Sequence, residues 1–533
     1  MGGRSTLARP SKASDPTSMA HAHMVTATIL LAVLGAGVLA AAETGGHSVA
    51  DPSSSASFLP PSSSTAASPH HAAAMPHLLR HVYAQYPADN SSTLRLAHLA
   101  VDRSTGRVYV AGVNHLIQLN AGLREEVMVA TGPRADSKLC HASGCNSPEI
   151  ETSLTNNANK VLVLEPESRT LIACGSLSQG ACEKYKLSNI SESPEFLPRS
   201  IVANDETSST YAFIGPEHYS PWRRSNVLYV GTTFTNHGDY RDDVPAISSR
   251  DLDSLELAEL SLSKQSAIYI DVKYRDQFLV KYVYGFNASD FTYFVVVQKQ
   301  SHLPDQEELG YVSRLARTCI NDANYESYTE VTLQCVSRDG SINYNLIQDA
   351  KVMRAGTELS LSFGLQPEEP ILVGVFGPSR GITSESQPSS AMCVYSLRDI
   401  ETKFNENIHM CFNGSIKYRN MEYISGLIDN GMCPQVGTTG NILSFCEVAL
   451  KISGVAPIVS KASLEFPGIS LSSITMATTE RHTVAFLGTR DGRLKKVLLS
   501  DANVAIEYEE VMVDPGYPLL PDTTLEPSGD FIY

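Results

Sequence analysis

Apolar and β-branched residues gather along this chain in pairs of short runs, each pair joined by a polar or Gly-containing turn and most pairs closing at or near Gly. The first pair is LRLAHLAVDRSTGRVYVAG, ending at Gly112, and the second is NKVLVLEPESRTLIACG, ending at Gly175. NVLYVG closes at Gly231, YVYGFNASDFTYFVVV spans 282–297, and LSLSFGLQPEEPILVGVFG closes at Gly377. LSSITMATTERHTVAFLG, closing at Gly488, and the C-terminal LLPDTTLEPSGDFIY bring the count to seven. A single hairpin cannot bury its own apolar face, so such units must stack on one another. The pattern predicts an all-β fold, a seven-bladed β-propeller.

The first four units recur every ~55 to 65 residues, enough for a four-stranded blade with its loops. The fifth and sixth stand ~110 residues apart, which predicts one blade carrying an insertion. Inside that gap SLRDIETKFNENI places Leu397, Ile400, Phe404 and Ile408 at helical spacing.

Ahead of the repeats, VTATILLAVLGAGVLAAA (25–42) is uncharged, ends in small residues and follows Arg4, Arg9 and Lys12. A basic start, an apolar core and an Ala-rich end predict a secretory signal over 1–42, cleaved after Ala40 to Ala42. Residues 43–77 lack periodic apolar positions and are rich in Ser, Ala, Pro and His, which predicts a disordered leader. His70 and His71 fall there as solvated linker residues. The propeller domain is expected over 78–533.

A net charge of −16 with 42% apolar residues fits a large secreted domain and disfavours nucleic acid, whose phosphates need clustered Lys and Arg. Ten cysteines behind a signal predict disulfides. Cys140 and Cys145 can close one local loop, and Cys174 and Cys182 another. Spacing does not choose among the pairings of Cys319, Cys335, Cys393, Cys411, Cys433 and Cys446. Sequons stand at Asn90, Asn189, Asn287 and Asn413, with Asn287 expected in an exposed hairpin turn.

LAHLAVDRSTGRVYVAGVNHLIQLN, LIACGSLSQGAC (Leu171–Cys182) and FLGTRDGRLKKVLL together resemble the sema domain of plexins. LCHASGCNSPEI, SRLARTCINDANYESYTEVTLQC, NLIQDAKV and SAMCVYSLRDI fit the same family in the same order. The resemblance covers about Leu78 to Tyr533. It implies a propeller of seven blades with an insertion in the fifth, roughly Leu397 to Cys446. It implies the pairs Cys140–Cys145, Cys174–Cys182, Cys319–Cys446, Cys335–Cys393 and Cys411–Cys433, the long Cys319–Cys446 link tying the insertion to its blade. An N-terminal strand, Leu78–Tyr86, is expected to complete a seventh blade that is otherwise cut short. The chain is expected to be a fragment or an incomplete gene model of a membrane receptor, secreted when made alone.

Function, by the same resemblance, is recognition of semaphorins in axon guidance, cell migration and repulsion, through loops at the propeller edge, with a receptor homo-oligomer or co-receptor as further partners. HGDYRDDVPAISSR (His237–Arg250) resembles a family loop in that region, making Asp239, Tyr240, Arg241 and Val244 the candidate contacts. Tyr240 and Arg241 have the chemistry of interface hot spots and are expected to be exposed. Trp222, the single tryptophan, reads as packed beneath a neighbouring loop. Other binding proteins with this propeller are a scatter-factor-type receptor and a semaphorin-like ligand. A propeller hydrolase is the competing class, but no HExxH, GxSxG or phosphate loop is present, and one tryptophan excludes repeated Asp boxes. No cofactor is expected.

Overall fold

The computed structural model describes residues 82–86 and 94–533, except 146, 221–222, 262–263, 323, 367–368, 436–441, 443 and 527. The predicted signal, the leader with His70 and His71, Asn90 and Trp222 lie outside the described residues.

Six antiparallel units of four main strands follow one another in sequence, the fourth and fifth fused with two short strands into one sheet of ten. They open with Leu96–Val101, Asn159–Glu165, Thr210–Ser220, Lys281–Ala288, Leu346–Arg354 and Leu471–Thr478, and each opening strand touches the opening strand of the next sheet. This is the hub of a β-propeller. Stacking explains the hydrophobic pattern. Second strands, covered on both faces by neighbouring sheets, are buried along their length, as in Val108–Gly112 and Pro370–Gly377. An outermost strand such as Glu125–Ala130 is wetted and carries charge.

The hairpin turns hold themselves. Asp102 accepts hydrogen bonds from Ser104 N and Oγ and from Thr105 Oγ1, and Gly106 takes φ 71° to complete the turn that DRSTG encodes.

The fifth unit departs from its expected form. LSLS is not a strand but part of a short helix, Thr357–Ser362, in the connection between Leu346–Arg354 and Pro370–Gly377. Its Leu359 is buried while Leu361 is 77% exposed, a one-sided burial that a helical turn satisfies. The expected helix in the insertion forms as Leu397–Phe412, N-capped by Ser396 Oγ accepting from Asp399 N at 3.0 Å, with Leu397, Ile400, Phe404 and Ile408 buried.

Five disulfides join the pairs that the resemblance implies. The long link does not tie the insertion to its own sheet, however. Residues 397–457 leave and re-enter the fifth sheet, whereas Cys319 ends a strand of the fourth, Tyr311–Cys319. The physical reason is that the fourth and fifth sheets are continuous: Thr329–Val336 pairs in parallel with Ile458–Pro467, and Cys335–Cys393 bridges the same seam. Buried Glu330 reinforces it, accepting hydrogen bonds from Tyr423 and from Ser453 Oγ of the segment that re-enters.

Between the sixth sheet and the first lies Leu519–Tyr533, whose bridge Leu525–Ile532 is the strand pairing found there among the described residues. Ile532 packs with Phe486 and Leu494 of the sixth sheet, and Tyr533 with Tyr86 and Leu96 beside the first. Residues 82–86 form no strand, but the Tyr86 hydroxyl donates to Glu125 at 2.5 Å and the Tyr83 ring lies 6.0 Å from Phe531.

Candidate functional site

The expected recognition loop connects Arg223–Thr232 to Ile247–Asp251 in the third sheet. It leaves at the end of the sheet where the opening strand begins, and it folds back over the second sheet. Gly238 is required here: at φ 105° an added Cβ would come within 1.9 Å of the Lys138 carbonyl oxygen. A single 3₁₀ turn, Asp239–Arg241, follows.

Arg241 is not an exposed contact. Its side chain is 1% exposed and donates from one terminal nitrogen to Gln179 O at 2.7 Å and from the other to Val202 O at 3.0 Å. Those carbonyls belong to the turn and strand connection of the second sheet, where a fork of guanidinium donors meets acceptors that would otherwise be buried unsatisfied. Burial pushes its pKa down to about 10, opposed by the Asp205 carboxylate, so it remains a cation at neutral pH. Val244 is likewise buried, its backbone N–H donating to Arg241 O at 3.1 Å. Tyr240 is exposed as expected, and Asp239 beside it is exposed too.

Gln179, at φ 61°, sits at the centre of the clasp. Its amide nitrogen donates to Lys138 O and Cys140 O, both at 2.8 Å, and its oxygen accepts from Asn204 Nδ2 at 2.9 Å. Asn204 in turn donates to His237 O at 2.8 Å and accepts from Thr235 Oγ1 at 2.6 Å. Lys138 donates to Ser176 O and to Asn204 O, and burial, aided by Arg241, holds its ammonium below the ordinary lysine range against the pull of Asp136 and Asp205. Burial would raise the Asp205 carboxyl, but Ser208 N and Oγ, Lys160 and His237 outweigh it and hold it low. Three strings far apart in sequence, LCHASGC, CGSLSQGAC and HGDYRDD, therefore form one polar socket.

Outside the socket the surface is different. Tyr240 stands edge-on to His141 with ring centroids 5.1 Å apart, and Leu139, next to the Cys140–Cys145 bridge, is 57% exposed. Asp239, Asp242 and Asp243 are exposed around them, Asp242 paired with Arg275 at 2.9 Å. An aromatic and apolar centre with an acidic rim suits a protein partner that brings basic groups. The sequence reading named the loop that carries Asp242 and Asp243 but missed Leu139 and His141 beside it. The signal was the tight Cys140–Cys145 loop, which lifts its neighbours to the surface.

The sequons fall unequally. Asn413, just after the long helix, is exposed, and Asn189 is half-buried in a turn. Asn287 is not in a turn: it lies within Lys281–Ala288, donates to Thr292 Oγ1 at 2.7 Å, and its oxygen occupies the space a Cβ at Gly215 would need. Its hairpin turns at Ser289, after the sequon asparagine, because the pairing of Ala288 with Phe291 leaves Ser289 and Asp290 to reverse the chain.

Among the described residues no group of three or more His, Cys, Asp or Glu is placed to hold a metal ion, and no helix is long and apolar enough to cross a membrane.

Comparison with known proteins adds the following. Residues 347–525 match the Sema domain family. Plexin-A4 of Danio rerio is 30% identical over 478 residues, 82% of this chain and 24% of that protein. Human Plexin-A4 is 28% identical over 475 residues, 82% of this chain and 23% of that protein. The solved Plexin A4 full extracellular region, domains 1 to 8, superposes with a TM-score of 0.70 at 26% identity, over 82% of this chain and 44% of that one. Drosophila Semaphorin 2a shares the fold, with a TM-score of 0.54 at 15% identity, over 83% of this chain and 72% of that one. The chain spans about a quarter of the length of the curated relatives it matches.

Proposed function

This chain carries a sema domain homologous to plexin extracellular regions, which are not enzymes, and on that premise we propose that it is the ligand-recognising part of a semaphorin receptor. It acts outside the cell, where disulfides persist. Residues 1–42 are its secretory signal, 43–77 a leader, and recognition begins with the domain from residue 78. The chain's role is binding, in the service of guidance and repulsion, and it transforms no substrate.

The observation that supports recognition is the clasped loop. Buried Arg241 and Gln179 fix its base, so Tyr240 and its acidic rim are presented with little conformational entropy to lose on binding. The partner is the sema domain of a semaphorin, approaching with a basic face.

The test is surface plasmon resonance of the secreted chain against a panel of semaphorin ectodomains. Tyr240→Ala, and separately Asp242→Lys with Asp243→Lys, are expected to weaken binding by about 1–3 kcal/mol, mostly through dissociation for the first and association for the second. Unchanged affinity in both variants moves the interface elsewhere on the propeller. Absence of binding to any semaphorin, with correct disulfides verified, removes the receptor reading.

A further inference from the structure

The opening strands of the sheets all begin on one face of the propeller, and between three of them the hub opens into a cleft of 380 Å³. Lys281 starts the opening strand of the fourth sheet, Gln348 lies near the start of the fifth and Ser472 near the start of the sixth. Arg490 follows Thr483–Thr489, and Pro518–Pro521 closes the remaining side.

Lys281 and Arg490 are both exposed, yet protein surrounds Lys281 on most sides, as it does at the mouth of a concave site. Its ammonium is held below the ordinary lysine range, by desolvation first and by the Arg490 charge second. Neither cation forms an ion pair with a carboxylate among the described residues. Arg490 instead donates to Gln348 Oε1 at 3.2 Å, which orients it, and Ser472 Oγ donates to Leu519 O at 2.7 Å and keeps its lone pairs free to accept.

The nearby carboxylates are engaged elsewhere: Asp349 lies 3.7 Å from Lys351 Nζ, and Asp522 lies 2.8 Å from His98 Nδ1. In a chain with 57 acidic and 41 basic side chains, two cations facing each other across one cleft without a carboxylate repel each other until an anion joins them. The volume decides the size of that anion. A water's share of space is about 30 Å³, so the cleft holds far more than one small ion and reaches the lower range of small-ligand sites.

We propose that this cleft is a binding site for a sulfate group, free or carried on a saccharide, gripped by Lys281 and Arg490 and lined by Gln348 and Ser472. It lies at the hub, apart from the clasped loop, and does not depend on the semaphorin reading.

Isothermal titration calorimetry of the whole secreted chain tests it, with sodium sulfate and a sulfated disaccharide as probes and chloride balancing the ionic strength. Wild-type protein is expected to bind saturably at one site, and Lys281→Gln with Arg490→Gln to bind ~10-fold more weakly or not at all. Arg103→Gln with Arg124→Gln makes the same charge change at exposed positions in turns of the first sheet and should bind like wild type. Arg490→Lys, which keeps the charge, should recover part of the affinity. Tighter binding of the disaccharide assigns the site to a saccharide-borne sulfate, and equal binding assigns it to the free ion. The proposal is overturned if wild type binds neither probe saturably, or if the cleft variant, with unchanged circular dichroism and melting, binds as wild type does.

Discussion

Between the fourth and fifth sheets the molecule is stitched covalently, by Cys335–Cys393 across the seam and Cys319–Cys446 beside it, whereas the sixth sheet meets the first through noncovalent contacts alone. At that second junction Asp522 accepts from Leu99 N at 3.1 Å and faces His98 at 2.8 Å, the Tyr533 hydroxyl donates to Ala121 O at 3.0 Å, and Leu519 N donates to Thr489 O at 3.1 Å. The difference follows the chain. Residues 397–457 interrupt the fifth sheet before its last strand, so that strand must find its place across a long loop. A cross-link removes part of that entropy from the unfolded state. The ring junction gathers short segments already adjacent to sheet edges, and burial of Ile532, Tyr533 and Tyr86 can hold them.

Breaking the stitched side should have the largest effect. Cys335→Ala with Cys393→Ala is expected to lower unfolding free energy by about 2–5 kcal/mol, read from denaturant midpoints. The Cys319–Cys446 pair closes 127 residues against 58, and loop entropy alone makes its removal ~0.7 kcal/mol more severe. Midpoints unchanged in both would mean that the parallel pairing suffices and the contrast between junctions is empty.

A pH titration sharpens the comparison through two carboxyls away from the stitched seam, Asp349 between the fifth and sixth sheets and Asp522 between the sixth and the first. Asp349, which accepts from Ile474 N at 2.8 Å, is raised by burial to about 6, with Lys351 pulling against the shift. A raised carboxyl binds its proton more tightly in the folded state. Its contribution is therefore lost as pH rises from about 4 towards 6, by ~2–3 kcal/mol. Asp349→Asn should flatten that slope in melting temperatures while leaving stability at pH 4 nearly unchanged. An equal slope in the variant would locate the titration elsewhere.

The smallest change is expected from Asp522→Asn, about 1–2 kcal/mol, since the amide can still accept one of the two hydrogen bonds. Burial would raise the Asp522 carboxyl, but His98 and Leu99 N outweigh it and hold it low. The stability it adds is present above the ordinary aspartate range and disappears as pH falls through its lower folded value. Hydrogen exchange should quicken at Leu99 and stay slow at Leu333, and equal quickening at both would deny that the junctions are independent.

The strands were legible because middle strands are buried on both faces, leaving unbroken apolar runs such as FTYFVVV. The helix at Leu397–Phe412 was legible from the three- and four-residue spacing of its apolar positions. What escaped depended on partners distant in sequence. Arg241 sits among acidic residues in a turn-rich string and reads as exposed, since nothing local announces that two carbonyls of another sheet await it. LSLS has the composition of a strand, and only its one-sided burial beside the sixth sheet makes it helical. Asn287 looked like a turn residue because its hairpin reverses just two residues later.

The inward-turned Arg241 separates the residues that shape the loop from those that face solvent. Arg241, Gln179 and Asn204 hold the base of the loop by hydrogen bonds, while Asp239, Tyr240, Asp242 and Asp243 stand exposed on it. Substitutions at the exposed positions do not touch those hydrogen bonds, so under the proposed function a lineage can exchange its partner by altering a few exposed side chains without passing through an unfolded intermediate sequence.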